Sequence, residues 1–108
     1  MGPEKTFETK VKKFIEDQNC WVVKFFANRM TKKGIPDIIC CINGYFVAVE
    51  IKAVHGEASD LQIYHCKKIR EANGFAFILY PSGFDQFKKF VEGLHNDTYT
   101  RDMPLFLK

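Results

Sequence analysis

Asp37, Glu50 and Lys52 lie within GIPDIICCINGYFVAVEIK, residues 34 to 52, the most apolar part of the chain. Two acids and a lysine among residues that otherwise read as buried strands need a reason, because a buried unpaired charge is strongly destabilising. Asn43-Gly44 supplies the geometry. It is the strongest short-range signal for a two-residue hairpin turn, and counting outward from it pairs Ile42 with Tyr45 and, further out, Asp37 with Glu50. Directly opposite residues share a face, with Cβ atoms about 4.5 to 5.5 Å apart. Lys52 shares that face because strand side chains alternate with period two. Like charges facing each other oppose strand pairing, and a divalent cation held between them would remove the repulsion. Hard oxygen ligands with room for water and phosphate oxygens describe a Mg²⁺ or Mn²⁺ site. The alternative is a salt bridge in which Lys52 neutralises the acids at a sheet edge, although one lysine leaves the second acid uncompensated. A bulge in the hairpin would shift the register and spoil the opposition.

Other residues fall into place around this group. Glu8 borders the apolar stripe of a first helix and can reach the same site, or it can be a solvated acid favoured by the helix dipole. Gln62 stands where a capping box headed by Ser59 puts its third helical residue, yet it shares a helix face with Cys66 and Ile69 and can turn inward. Arg29, Lys32 and Lys33 lie in the loop just before Gly34, where a basic loop beside the acids could hold a nucleic-acid backbone or simply face water. His55 reads as an exposed loop residue.

The elements that must position these residues are legible in order. Thr6 can cap a first helix carrying Phe7, Val11, Phe14 and Ile15 at helical spacing. CWVVKFF, residues 20 to 26, is rich in aromatic and β-branched residues and reads as a strand. DIICCI and YFVAVEIKA form the hairpin. A second helix runs from Ser59 to a stop at Asn73-Gly74. GFAFILYP is a strand ended by Pro81, and SGFDQFKKFVEGL is a last helix with Ser82 as its cap and Phe84, Phe87, Val91 and Leu94 near one face. Residues 95 to 108 give no clear element. This order predicts an α/β domain whose mixed sheet is covered by helices, with the last strand reached through a right-handed parallel crossover.

Composition sets the outer bounds. A chain of 108 residues is expected to form a single domain, residues 1 to 108, with one hydrophobic core. Its 46% hydrophobic residues and 11 Phe argue for a folded globule and against disorder. No run approaches the length of a membrane span and no signal peptide is recognisable, so a soluble intracellular protein is expected. Cys20, Cys40, Cys41 and Cys66 lack the spacing of a zinc site and read as small buried thiols. A net charge of +3 permits a nucleic-acid partner without demanding one.

Pro36-Asp37 followed, after twelve residues, by Glu50-Ile51-Lys52 resembles the motif of the PD-(D/E)XK nuclease superfamily. With Gly34-Ile35 before it, Glu8 in the first helix and Gln62 at the start of the second, the pattern is most similar to the VRR-NUC branch, in its stand-alone phage and bacterial forms. The likeness covers roughly residues 5 to 92. It implies a restriction-endonuclease-like αβββαβ core plus a C-terminal helix. It also implies metal ligation by Asp37 and Glu50, with Glu8 and the backbone carbonyl of Ile51 assisting, a lysine at Lys52 serving the attacking water, and Gln62 orienting groups around it. The activity implied is Mg²⁺- or Mn²⁺-dependent hydrolysis of DNA, with branched DNA such as Holliday junctions favoured, by a cytoplasmic homodimer. A nuclease acting on flaps, single-stranded ends or plain duplex, or a non-cleaving DNA-binding module of the same fold, are the rivals. Two symmetric cuts need two active sites, so a two-fold dimer suits a chain this short.

Overall fold

The computed structural model describes residues 2–26 and 33–108. Arg29 and Lys32 therefore lie outside the described residues. Among the described residues, three α-helices and five strands follow the chain order α1 (Pro3–Glu16), β1 (Trp21–Lys24), β2 (Ile38–Ile42), β3 (Tyr45–Ile51), α2 (Asp60–Glu71), β4 (Phe75–Leu79), α3 (Phe84–Asn96) and β5 (Phe106–Leu107). The sheet has the spatial order β1-β2-β3-β4-β5. β1, β2 and β3 are antiparallel, whereas β3/β4 and β4/β5 are parallel pairs reached through α2 and α3. The expected α/β class, with a mixed sheet covered by helices and a C-terminal helix, is the observed one.

The hairpin turn sets the register. Asn43 (φ 50°) and Gly44 (φ 86°) both take left-handed backbone, as a two-residue turn matched to strand twist requires. Ile42 pairs with Tyr45, and the ladder runs without a bulge to Ile38 opposite Val49. Asn43 Nδ2 also donates to the Leu94 carbonyl at 2.8 Å, which ties the turn to the end of α3.

Period-two alternation then divides the sheet into two packed faces. Val47, Val49, Ile51, Phe75, Phe77 and Leu79 meet α1 and α3 in the main core. Ala48, Ala76 and Ile78 lie on the other face under α2, with Cys66 packed against them. Residues Val47 to Ile51 are all buried, as expected of a central strand covered on both sides. Cys40 is buried but Cys41 is exposed, because neighbouring strand residues point to opposite faces, so the expectation of buried thiols fails at Cys41. Among the described residues, no helix is long and apolar enough to cross a membrane.

Three boundaries differ from the sequence reading. α1 starts at Pro3 with Gly2 as its N-cap, because proline's missing N–H costs nothing in the first turn. Thr6 is inside the helix, and its hydroxyl donates to the Gly2 carbonyl at 3.1 Å. Ser82 does not cap α3: Pro81–Gly83 form a short 3-10 turn, and Gly83 takes the cap position. The tail forms β5, secured by Arg70, whose guanidinium donates to the Met103 carbonyl at 2.8 Å and the Pro104 carbonyl at 2.9 Å.

Gly83 lets β5 approach, since a Cβ there would lie 2.1 Å from the Leu107 carbonyl oxygen. We expect Gly83→Ala to lose about 2 kcal/mol or more of stability in urea denaturation, in the range of an overpacked site. The Ile78 and Tyr80 amides, which donate to Leu105 and Leu107, should exchange hydrogen faster, while the β2–β3 amides stay protected.

Candidate active site at the open end of the hairpin

The site begins where the β2–β3 ladder stops. The paired residues end at Ile38–Val49, so Asp37 and Glu50, expected to face each other from the turn, lie one step beyond the ladder. Asp37 is held on three sides. Its carbonyl accepts from Phe25 N–H at 2.7 Å, its Oδ2 accepts from Ile51 N–H at 3.0 Å, and its Oδ1 accepts from Lys24 Nζ at 3.3 Å. The loop before it is also fixed. Gly34 has φ +82°, and a Cβ there would come within 2.7 Å of the Leu61 backbone, so only glycine lets this loop lie against the first turn of α2.

Glu50 is only 3% exposed. Its Oε2 accepts from Gln62 Nε2 at 3.1 Å and lies 3.6 Å from Lys52 Nζ. Its Oε1 is buried without a hydrogen-bond partner. Burial pushes the Glu50 carboxyl up to about 8, and the adjoining charge of Asp37 adds to this while Lys52 opposes it. Glu4, one turn ahead of Glu8, contributes a further small repulsion.

Gln62 resolves the choice between cap and site by doing both. Its Oε1 accepts from Ser59 N–H at 2.9 Å, and its own N–H donates to Ser59 Oγ at 3.1 Å, completing the capping box. The side-chain amide nitrogen is left free to hold Glu50. The helix cap thus fixes the amide that orients the acid.

Lys24 was missed in the sequence. Its Nζ lies 2.6 Å from Glu8 Oε1 and 3.3 Å from Asp37 Oδ1, and it answers the objection that one lysine cannot compensate two acids. Burial lowers the Lys24 pKa, but the Glu8 hydrogen bond and the charges of Asp37 and Glu8 outweigh it, so the net shift is upward. The signal was present: Lys24 pairs with buried Ile38 and follows Val22, which packs on the core, so period two places this lysine inward. An inward lysine needs an acid partner.

Glu8 is 8% exposed, which excludes the solvated-acid reading, and it joins Asp37 through Lys24. The structure thus gathers Asp37, Glu50, Lys52, Gln62 and the Ile51 peptide, and brings Glu8 in indirectly. Lys33 is exposed just before Gly34, and His55 is exposed as expected. A cleft of about 630 Å³ between α1 and β1, lined by Lys5, Lys12, Val22 and Phe26, reaches the cluster at Glu8 and Lys24. Burial raises the thiols of Cys40 to about 12 and Cys66 to about 11, so neither is poised as a nucleophile.

Among the described residues, no three His, Cys, Asp or Glu side chains lie close enough together to enclose a metal ion. Two adjoining carboxyls with one orphaned buried oxygen nevertheless fit a hard divalent cation that keeps part of its water shell, as Mg²⁺ commonly does. No protein-family model matches the chain, and no curated protein is significantly similar to it.

The elevated Glu50 pKa has a sign that can be measured. A carboxyl protonated more readily in the folded than in the unfolded state loses stability as pH rises from the unfolded value, about 4.3, toward the folded one. Glu50→Gln should therefore stabilise the metal-free protein. The gain should be near zero below pH 4, grow toward pH 8, and level off there at a few kcal/mol at most. Thermal melts across that pH range check it, and a flat difference would contradict the assigned burial.

Proposed function

We propose that this protein is a Mg²⁺- or Mn²⁺-dependent deoxyribonuclease, with its active site at Asp37, Glu50 and Lys52. The observation that carries the reading is the Glu50 Oε1 atom, buried and unpartnered beside a second acid. Buried polar atoms that meet no donor are rare in native folds, so this one calls for a bound cation or a proton shared with Asp37. The similarity of Pro36-Asp37 and Glu50-Ile51-Lys52 to the PD-(D/E)XK pattern supports the same reading, as does the αβββαβ order of the chain.

In this reading Asp37 and Glu50 hold the ion, which when bound neutralises phosphate charge and acidifies a water molecule. Ile51 N–H and Lys24 fix one acid from the backbone and from β1, and Gln62 fixes the other from α2. Preorganised ligands of this kind need little rearrangement as charge develops on the phosphate. Lys52 Nζ, on the Glu50 side of the pair, can donate to the attacking water or to a non-bridging phosphate oxygen. The exposed Lys33 adds positive charge near the loop leading to Asp37, where a phosphate backbone could pass.

Branched DNA is the proposed substrate and a homodimer the proposed form, since paired cuts across a junction need two such sites. The rival reading is a DNA-binding module that does not cleave. The ion pairs of Lys24 and Lys52 favour it, because they already compensate much of the acidic charge.

Incubating the chain with Mg²⁺ or Mn²⁺ and a panel of duplex, flap, splayed and four-way DNA separates these readings. Cleavage is expected, with Asp37→Ala and Lys52→Ala each slower by about 100-fold or more, as when a group stabilising the transition state is removed. No cleavage of any substrate, or equal cleavage by Asp37→Ala, would overturn the nuclease reading. Sedimentation showing a species of twice 12.5 kDa at micromolar concentration is expected for the dimer.

A further inference from the structure

We infer that Lys24 is a resident cation occupying the gap between Glu8 and Asp37, so that the cluster takes one divalent ion, at Asp37 and Glu50, and none at Glu8. The inference rests on the metal-binding reading above and departs from the role that the family resemblance implies for Glu8.

The oxygen atoms of the three acids are used differently. Glu8 Oε1 lies 2.6 Å from Lys24 Nζ, and Glu8 Oε2 lies 3.7 Å from Lys5 Nζ, so both oxygens already face ammonium groups. Asp37 shares Lys24 through Oδ1 and spends Oδ2 on the Ile51 N–H. Glu50 alone keeps an oxygen with no partner. A divalent ion entering at Glu50 meets an oxygen that no donor or ammonium group occupies, whereas one entering at Glu8 would have to displace a lysine.

That displacement is opposed by where Lys24 is anchored. Its side chain is 16% exposed, and β1 is held against β2 by the Lys24–Ile38 pairing. The next residue, Phe25, donates its N–H to the Asp37 carbonyl at 2.7 Å, so the backbone beside Lys24 is joined to the peptide of the acid that Lys24 neutralises. The ammonium is consequently supplied to the gap by the sheet itself. A second cation on Glu8 Oε1 would lie against the Lys24 ammonium and be strongly repelled, whereas Asp37 still has Oδ2, on the side away from Lys24, to offer an ion held by Glu50. Lys24 is thus a positioning residue that sets the metal count and holds Asp37, and Glu8 is its anchor.

Mn²⁺ binding to the full chain, followed by calorimetry and by the paramagnetic resonance of free Mn²⁺, tests this without any cleavage assay. One Mn²⁺ per chain is expected. Glu8→Gln should leave that number unchanged, with a dissociation constant weakened by no more than the roughly 10- to 100-fold that loss of an outer-shell partner costs. Lys24→Met should admit a second Mn²⁺, and the double variant Lys24→Met with Glu8→Gln should return to one, while Lys24→Arg stays at one. A folded Glu8→Gln protein that no longer binds Mn²⁺, a loss well beyond the roughly 100-fold of an outer-shell partner, would make Glu8 a ligand and overturn the inference. So would a Lys24→Met protein that folds and still binds a single ion with unchanged affinity. If Lys24→Met fails to fold, as circular dichroism would reveal, the Glu8→Gln arm decides in the native Lys24 background. Absence of Mn²⁺ binding to the unaltered chain would instead remove the metal-binding reading itself, and this inference with it.

Discussion

Everything at this site follows from placing the Glu50 carboxyl inside a central strand. β3 is covered on both faces, so a side chain at position 50 is almost wholly withdrawn from bulk water. A carboxylate in such a place is tolerable only when hydrogen-bonded and opposed by positive charge. Gln62 supplies the hydrogen bond, Lys52 the charge, and one oxygen is left over. The neighbouring acid makes matters worse, because Asp37 is pinned by the hairpin register and cannot move away. The local fold therefore concentrates negative charge where burial should forbid it. Such conflict between local preference and global structure is characteristic of functional sites.

The compensating groups come from separate parts of the chain. Charges alternate from Lys5 through Glu8 and Lys24 to Asp37, and the alternation breaks where Glu50 stands beside Asp37 before Lys52 follows. Glu8 arrives on α1 from the main-core face of the sheet, whereas Gln62 arrives on α2 from the other face. Both layers thus meet at this sheet end, α1 reaching it with Glu8 and Lys5 and α2 with Gln62. Removing one member would strand its neighbour, which is why a broken buried pair destabilises far more than an intact one stabilises.

The sequence made the hairpin readable because its information was local. Asn43-Gly44 dictates the turn, the alternation of Val47, Val49 and Ile51 dictates the inner face, and counting outward reaches Asp37 and Glu50. The capping role of Gln62 was equally local, three residues from Ser59. What escaped depended on distant partners. Lys24 became meaningful only once β1 was registered against β2 and α1 brought Glu8 to it, a contact no spacing rule encodes. β5 is a two-residue strand whose position rests on Arg70, more than 30 residues away. Short edge strands carry too little periodicity to announce themselves. The start of α3 slipped past Ser82 because the close approach of Leu107 reserves Gly83 for the cap.

The double use of Gln62 sharpens what the fold achieves. A capping amide normally spends its oxygen on the helix and leaves its nitrogen in water. Here the helix start lies over β3, so the leftover nitrogen meets Glu50. α2 can approach this closely because the sheet beneath it presents Ala48 and Ala76, and because Gly34 lets the Asp37 loop lie against Leu61. Small residues at three points thus bring a helix cap, an acid loop and a strand end into hydrogen-bonding range. The same closeness excludes water from Glu50 Oε1, so the interaction that orders the acid also leaves it short of a partner. A hydrated divalent ion entering from the open end of the hairpin can meet that need without disturbing the cap, because Gln62 holds Oε2 and leaves Oε1 free.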